Sequence, residues 1–299
     1  MPETGISSFK RLSSGLTGLS KISSMSKNPG FPGFGTAGIL IVGFVVFLGL
    51  FAPYISPFDP WDYSAIPLEK PSDLHPLGTN DIGQDILSEL LYGARTSLLF
   101  GFFVALLATV FSVLVGLFAG LSEGFTGKFL MLLTDIFIAI PSILLILLLA
   151  AYINPDFLSL ILILSLFSWQ YGARVLYSQT LSLKERPYIY AARNFGAKKL
   201  YIISRHLVPD LFPLLLSGFV RRMRYAVFME AGLAFMGISD PSTKSWGLMM
   251  NRAMEFVYIG TWKWWLLPTG VLLSLTILGY SLLGYFLEEH VDKRHRKVN

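Results

Sequence analysis

Residues 97–122 read Ser97-Leu-Leu-Phe-Gly-Phe-Phe-Val-Ala-Leu-Leu-Ala-Thr-Val-Phe-Ser-Val-Leu-Val-Gly-Leu-Phe-Ala-Gly-Leu-Ser122, without one charged side chain. About 20 mostly apolar residues cross roughly 30 Å of hydrocarbon as a helix. Only a helix or a closed barrel satisfies its own backbone at that depth. This run therefore predicts a membrane-spanning helix, and the rest of the chain repeats the pattern. Residues 37–54 and 157–173 are also charge-free, residues 129–153 carry only Asp135, and residues 264–287 form a further clean run. The last opens on Trp262, Trp264 and Trp265, side chains that suit a membrane–water interface.

Residues 211–239 are harder to read. Their first ten are uncharged, but Arg221, Arg222, Arg224 and then Glu230 follow. A ten-residue run is too short to cross, and loop charges alternate correctly only if the stretch is a single span. The expectation is an all-α membrane protein of six transmembrane helices, the first at 37–55.

Composition agrees. Of 299 residues 53% are hydrophobic and 14% charged, against roughly a quarter charged in ordinary soluble domains. Such a chain has too little charge to cover a water-facing surface. It has no cysteine, which excludes disulfides, thiolate-bound metal and thiol catalysis. Four histidines, His75, His206, His290 and His295, leave little for a metal site, and none is expected.

Lys and Arg favour cytoplasmic loops. Residues 1–36 hold Lys10, Arg11, Lys21 and Lys27 against Glu3. Residues 174–209 hold Arg174, Lys184, Arg186, Arg193, Lys198, Lys199 and Arg205 against Glu185, and the tail at 288–299 carries Lys293, Arg294, Arg296 and Lys297. By contrast, residues 56–96 hold Asp59, Asp62, Glu69, Asp73, Asp81, Asp85 and Glu89 against Lys70 and Arg95. Both termini are expected in the cytoplasm, with the acidic 56–96 loop outside and a core at 97–287. The Ser- and Gly-rich residues 1–36 read as a flexible tail ahead of a retained helix. The apolar run begins late for a signal peptide, and Phe51-Ala-Pro-Tyr54 is a poor cleavage site.

Machinery for chemistry is missing. No G-x-x-x-x-G-K-[ST], H-E-x-x-H or G-x-S-x-G occurs. The nearest text to a phosphate loop, Gly124-Phe-Thr-Gly-Lys-Phe129, lacks both the spacing and the hydroxyl after lysine. The chain reads as non-catalytic, with no cofactor of its own and nothing directed at nucleic acid. The two halves show no internal repeat, which weakens an inverted-repeat carrier.

The long cytoplasmic loop, 178–209, includes Glu185-Arg-Pro-Tyr-Ile-Tyr-Ala-Ala-Arg-Asn-Phe-Gly-Ala-Lys-Lys-Leu-Tyr-Ile-Ile-Ser-Arg-His-Leu-Val-Pro209. Pro187 suits a first helical turn and Gly196 a helix end. A second helix is expected over 198–206. Ala191 and Ala192 would permit close approach, so the pair would present a compact knob to a partner. A solvated basic loop beside anionic lipid would explain the charges but not the Ala-Ala-x-x-x-Gly core.

This loop resembles the E-A-A-x-x-x-G signature of permease subunits in binding-protein-dependent ABC importers. Ala191, Ala192 and Gly196 match its core and His206-Leu-Val-Pro209 its close, whereas Tyr190 stands where the signature has glutamate. Further motifs are similar to the second permease subunit of the dipeptide/oligopeptide (peptide/nickel) class. They are His75-Pro-Leu-Gly-Thr79, Gly83-Gln-Asp85, Leu91-Tyr-Gly-Ala-Arg-Thr-Ser97, Asp135 with Ile140-Pro141, Glu230-Ala-Gly-Leu-Ala-Phe-Met-Gly237, Pro241 and Ser245-Trp-Gly247. Gln84, Glu89 and Met131 depart from that pattern, which has arginine at each place. The resemblance implies an inner-membrane subunit forming half of a translocation path for peptides or related oligosaccharides or nickel complexes. It implies as partners a homologous second permease, two cytoplasmic ATPase subunits carrying ATP and Mg, and an external solute-binding protein that the acidic loop would meet. The 187–206 loop would dock on the ATPase. A gradient-driven carrier with Asp135 and Glu230 as proton sites is the alternative from another class.

Charges inside a membrane cost about 2.5–3.5 kcal/mol each on insertion scales and usually face a cavity or a partner. At 1.5 Å per residue, Arg221 lies roughly 16 Å and Asp135 about 10 Å in from the cytoplasmic side, which makes them expected interhelical partners. Arg221, Arg222 and Arg224 either line the path, where an arginine fork suits a carboxylate, or pair with acids on neighbouring helices. Pro141 removes a backbone donor in mid-span and should kink the third helix, as a hinge or a packing bend.

Overall fold

A computed structural model describes residues 32–122, 124–153 and 155–296; most of the predicted N-terminal tail, residues 1–31, and residues 297–299 lie outside them. The described residues are helical and form no strand. In order they comprise α1 (Pro32–Ile55), α2 (Ile86–Leu121), α3 (Phe125–Ala139), α4 (Ser142–Ile153), α5 (Phe157–Leu166), α6 (Gln170–Lys184), α7 (Pro187–Asn194), α8 (Lys199–Ile202), a π turn (Ile203–Leu207), α9 (Val208–Phe235), α10 (Trp246–Glu255), two 3₁₀ turns and α11 (Leu266–Arg296).

Three helical stretches are long and apolar enough to cross a membrane singly, Phe34–Ile55, Ile86–Leu121 and Thr261–Glu289. Two bent pairs qualify if each counts as one span. The expected third span is broken rather than kinked: α3 and α4 meet at 75°. The residue before a proline is driven out of the helical region, and Ile140 is extended at φ −84°, ψ 129°. Pro141 therefore ends α3 outright. The expected span at 157–173 also bends, by 41°, between α5 and α6. Its second half runs on to Lys184 as an amphipathic helix, through the first residues of the loop expected at 178–209. Gln170, Ala173, Leu176, Thr180 and Leu183 share its buried face at the spacing of a helix stripe.

α2 is the axial element. Between apolar helices in lipid the hydrophobic effect supplies little association, and close backbone approach takes its place. A Cβ on Gly116 would lie 2.6 Å from the Ala173 carbonyl of α6, so glycine sets that contact. Phe100 and Val104 of α2 pack with Ile146, Leu160, Leu164, Ala226 and Leu233 in one core. Nearer the N-terminal end of α2, Ile86, Leu90 and Ala94 pack with Val45, Trp246, Met249, Trp265 and Leu272 in another.

The loop predicted to end at 96 ends at Asp85. Asp85 caps α2, accepting from the Ser88 amide (2.8 Å) and hydroxyl (2.7 Å), and contacts His75 Nδ1 at 2.9 Å. Hydropathy hides this helix start because Glu89 and Arg95 lie in it. Glu89 is buried beside Lys244, at 3.0 Å, and Lys244 also donates to Gln84 at 2.6 Å. Asp85 and Glu89 are thus withdrawn from the acidic surface, while Asp59, Asp62 and Asp73 remain exposed. At the other end, α11 runs through most of the predicted basic tail to Arg296.

Candidate functional site

Both helix breaks face α9 across a cavity of about 460 Å³. Ser142, the first residue of α4, lies on its wall, with Phe167 and Ser168 from the α5–α6 bend and Tyr171, Gly172 and Val175 of α6. α9 supplies Leu214, Gly218, Arg221, Arg222 and Tyr225. Irregular backbone at membrane depth is tolerated where it is buried in protein or lines a cavity, which accounts for the concurrence of the two breaks with this space.

The expected Asp135–Arg221 pair does not form. Asp135 pairs with Arg174 of α6 at 3.0 Å, and Arg221 with Glu288 of α11 at 2.6 Å. The break at Pro141 separates α3 from the rest of its span, and α3 lies against α6 instead of α9. Arg224 reaches Ser281 Oγ at 3.2 Å. Glu230, buried between α9 and α2, accepts from Ser97 Oγ at 3.1 Å and does not line the cavity. Arg222 is set apart. Its guanidinium donates to Ser112 Oγ at 2.8 Å and, more weakly at 3.4 Å, to Thr109 Oγ1 and the Ser168 carbonyl. Among the described residues it has no ion-pair partner. Gly172 makes room for it, since a Cβ there would lie 1.5 Å from Nη2. The hydropathy reading missed Arg174, Glu288, Ser112, Thr109 and Gly172; the pairing of acids with cations fell to helices not adjacent in sequence.

The second candidate, the loop at 187–206, is a helical hairpin. α7 begins with Pro187 and is closed by Gly196 at φ +79°, where the Ala197 amide donates to the Ala192 carbonyl at 3.0 Å. This is the left-handed helix stop that favours glycine. α8, the π turn and α9 then run without a break. Pro209 has no amide to close an α-turn, and just before it the Val208 amide reaches back to the Ile203 carbonyl, a π turn of the kind that absorbs such a defect. Ile189, Ile202, Leu207 and Leu211 bury the hairpin's root against Leu117, Leu176 and Leu183. Tyr188 ties α7 to α9, its hydroxyl donating to Asp210 Oδ2 at 2.6 Å. Burial and this bond push the Tyr188 phenol up to about 12. His206 lies between the Tyr188 and Tyr201 rings, at 5.7 and 5.9 Å. The tip is the opposite of its root: Phe195 is 92% exposed, and Tyr190, Ala191, Leu200 and Tyr201 are exposed with it. The hairpin thus carries an exposed apolar patch among basic side chains.

A helical membrane protein with two bent helix pairs around an arginine-bearing cavity and an exposed apolar hairpin tip has the build of a transporter's membrane subunit. Residues 112–297 match the family described as binding-protein-dependent transport system inner membrane component, and the chain belongs to that family. It is 29% identical over 262 residues to the oligopeptide transport system permease protein OppC of Bacillus subtilis, covering 87% of this chain and 85% of that one. It is 30% identical over 262 residues to the glutathione transport system permease protein GsiD of Pectobacterium atrosepticum, covering 86% of each. The di/tripeptide permease DppC of Pseudomonas aeruginosa is also 30% identical, over 266 residues, with 86% and 87% covered. Among solved structures, a chain of the inward-facing MetNI methionine ABC transporter shares the fold with a TM-score of 0.51 at 18% identity, over 72% of this chain and 98% of that one.

Proposed function

We propose that this chain is the second of two permease subunits in an ATP-driven importer of the peptide class, contributing half of the translocation path and no catalysis. Its relatives are permeases named for oligopeptide, dipeptide and glutathione transport, which makes short peptides the substrate class. The bias of Lys and Arg supports both termini and the hairpin lying in the cytoplasm, with α9 as the fifth of six spans. α9 has 28 residues, about 42 Å at 1.5 Å each, long enough to cross despite its charges.

The observation that carries the proposal is the continuity of the hairpin with α9. The exposed tip docks on a cytoplasmic ATPase. The tip is rooted in α8–α9, and α9 walls the cavity with Arg221 and Arg222. A rotation imposed at the tip by ATP-driven closure of the ATPases is thereby passed to the cavity wall, and the break at Pro141 gives α4 freedom to follow. Tyr190 presents a phenol where the family signature has a carboxylate, so docking here is apolar. The exposed remainder of the acidic outer loop meets the solute-binding protein.

Gly196→Trp tests the docking role. Open space surrounds the Gly196 Cβ direction, so the indole meets no atom of this chain and obstructs a partner, while the positive φ strains any L side chain placed there. Asn tolerates the left-handed conformation, and Gly196→Asn serves as the control. Co-purification should lose the ATPases, and uptake with them, in Gly196→Trp but not in Gly196→Asn. Normal association and uptake in Gly196→Trp would overturn the docking role.

A further inference from the structure

The cavity carries a net positive charge, and one side chain is its source. None of its lining residues is acidic. Arg221 reaches the wall but is neutralised by Glu288 at 2.6 Å. Arg174, close by on α6, is neutralised by Asp135. Arg222 alone of these three has only neutral acceptors, Ser112 Oγ, Thr109 Oγ1 and the Ser168 carbonyl. A guanidinium has five N–H donors; these partners engage three, and two are left for a ligand.

The setting is built for this group. Two glycines flank it: a Cβ on Gly172 would lie 1.5 Å from Nη2, and one on Gly218 3.0 Å from Nη1. Ser112 is itself oriented, with its hydroxyl within 2.7 Å of the Ala108 and Trp169 carbonyls. A cation at membrane depth is costly and is normally balanced by an acid or used on a ligand. Arg221 and Arg174 are balanced by acids and Arg224 reaches Ser281 away from the cavity, whereas Arg222 lines the cavity with neutral partners alone. A charge-assisted bond to a carboxylate is stronger than one between neutral groups, and it gains further where water is scarce.

We infer that Arg222 is the anion contact of the cavity and makes this path selective for substrates bearing a carboxylate. In a peptide that group is the C-terminal carboxylate. The aromatic and aliphatic neighbours Phe167, Tyr171 and Leu214 accept side chains without discriminating among them, so the permease sorts by terminal charge. This inference rests on the cavity being the translocation path.

Two measurements on the assembled complex separate the inference from that reading. The chain has no cysteine, so Val175→Cys, on the cavity wall one turn from Gly172, gives this subunit a single thiol in a complex with cysteine-free partners. Its reaction with a sulfonate-bearing and a trimethylammonium-bearing methanethiosulfonate is compared, each rate normalised to that of 2-mercaptoethanol. The anionic reagent should be favoured on the order of tenfold for a unit charge at this range in a partly desolvated site. The preference should vanish in Arg222→Gln and persist in Arg222→Lys. Absence of any preference with Arg222 in place overturns the inference, whether or not the Gln variant assembles.

The second measurement is ATP-dependent uptake into proteoliposomes of radiolabelled trialanine and of its C-terminal amide. The free acid should be taken up faster. Arg222→Gln should slow it on the order of tenfold more than it slows the amide, and Arg222→Lys should recover most of the difference. Equal effects on acid and amide overturn the inference. Uptake of neither by the unmodified complex counts against the peptide reading alone, and the labelling result then decides the charge selectivity.

Discussion

Lys244→Met should be strongly damaging where residues 56–85 pack on the start of α2 and α10. Lys244 and Glu89 lie 3.0 Å apart with side chains 6% and 2% exposed. They come from the segment before α10 and the first turns of α2, and they are joined through Gln84 and Asn80 at 2.6–3.3 Å. Removing one partner of a buried pair leaves the other charge uncompensated and costs about 3–5 kcal/mol. For a chain of this size that is a fall on the order of 10 °C in melting temperature. The Lys244→Met/Glu89→Leu double variant removes both charges and leaves only Gln84 and Asn80 short of partners, about 1–3 kcal/mol. It should therefore melt higher than Lys244→Met alone. The assay is thermal unfolding of the purified complex in detergent, at one fixed scan rate so that irreversible unfolding does not bias the comparison, with limited proteolysis of residues 56–85 as the local readout. The pair is buried, so 0.5 M salt should not reduce its contribution. Lys244→Met within about 2 °C of the parent, or a double variant whose loss equals the sum of the two singles, would refute the network as a joint between α2 and α10.

Gly172→Ala puts a methyl group where Arg222 Nη2 lies. The guanidinium must swing off Ser112, and uptake should fall in the same direction as in Arg222→Gln while the complex still assembles; unchanged uptake would remove Gly172 from the site. The Tyr188 phenol sits above its ordinary value of 10.0, at about 12, through burial and the Asp210 bond. Its contribution is therefore full below pH 10 and lost as the pH rises through about 12. The melting-temperature difference between the parent and Tyr188→Phe should shrink over that window, and a difference constant across it would count against the bond.

The hairpin was largely legible in the sequence. Pro187 and Gly196 are local signals that act through backbone geometry a few residues away, and they bound α7 as read. The break at Pro141 was legible in place but not in size, because a lone proline in a soluble helix kinks it, whereas here Ile140 leaves the helical region and α3 turns onto α6. The start of α2 was missed. A hydropathy window counts Glu89 and Arg95 as exposed, and only the buried position of Lys244 makes Glu89 compatible with a packed helix. The ion pairs were misassigned for a related reason: depth along a helix was computable at 1.5 Å per residue, but the direction each side chain faces was not.

Scarcity of charge and the length of the apolar runs determined by themselves that this chain lives in a membrane as helices, since backbone satisfaction in hydrocarbon permits little else. The ordered motifs determined its family. Which arginine faces the cavity without an acid beside it was decided only by the tertiary structure. Arg221, Arg222 and Arg224 are near neighbours on one helix and chemically identical, but successive residues point about 100° apart. One meets Glu288, one meets Ser281, and Arg222 meets two hydroxyls, a carbonyl and a cavity. That difference comes from what the neighbouring helices present at each angle, and residues far away in the chain set it.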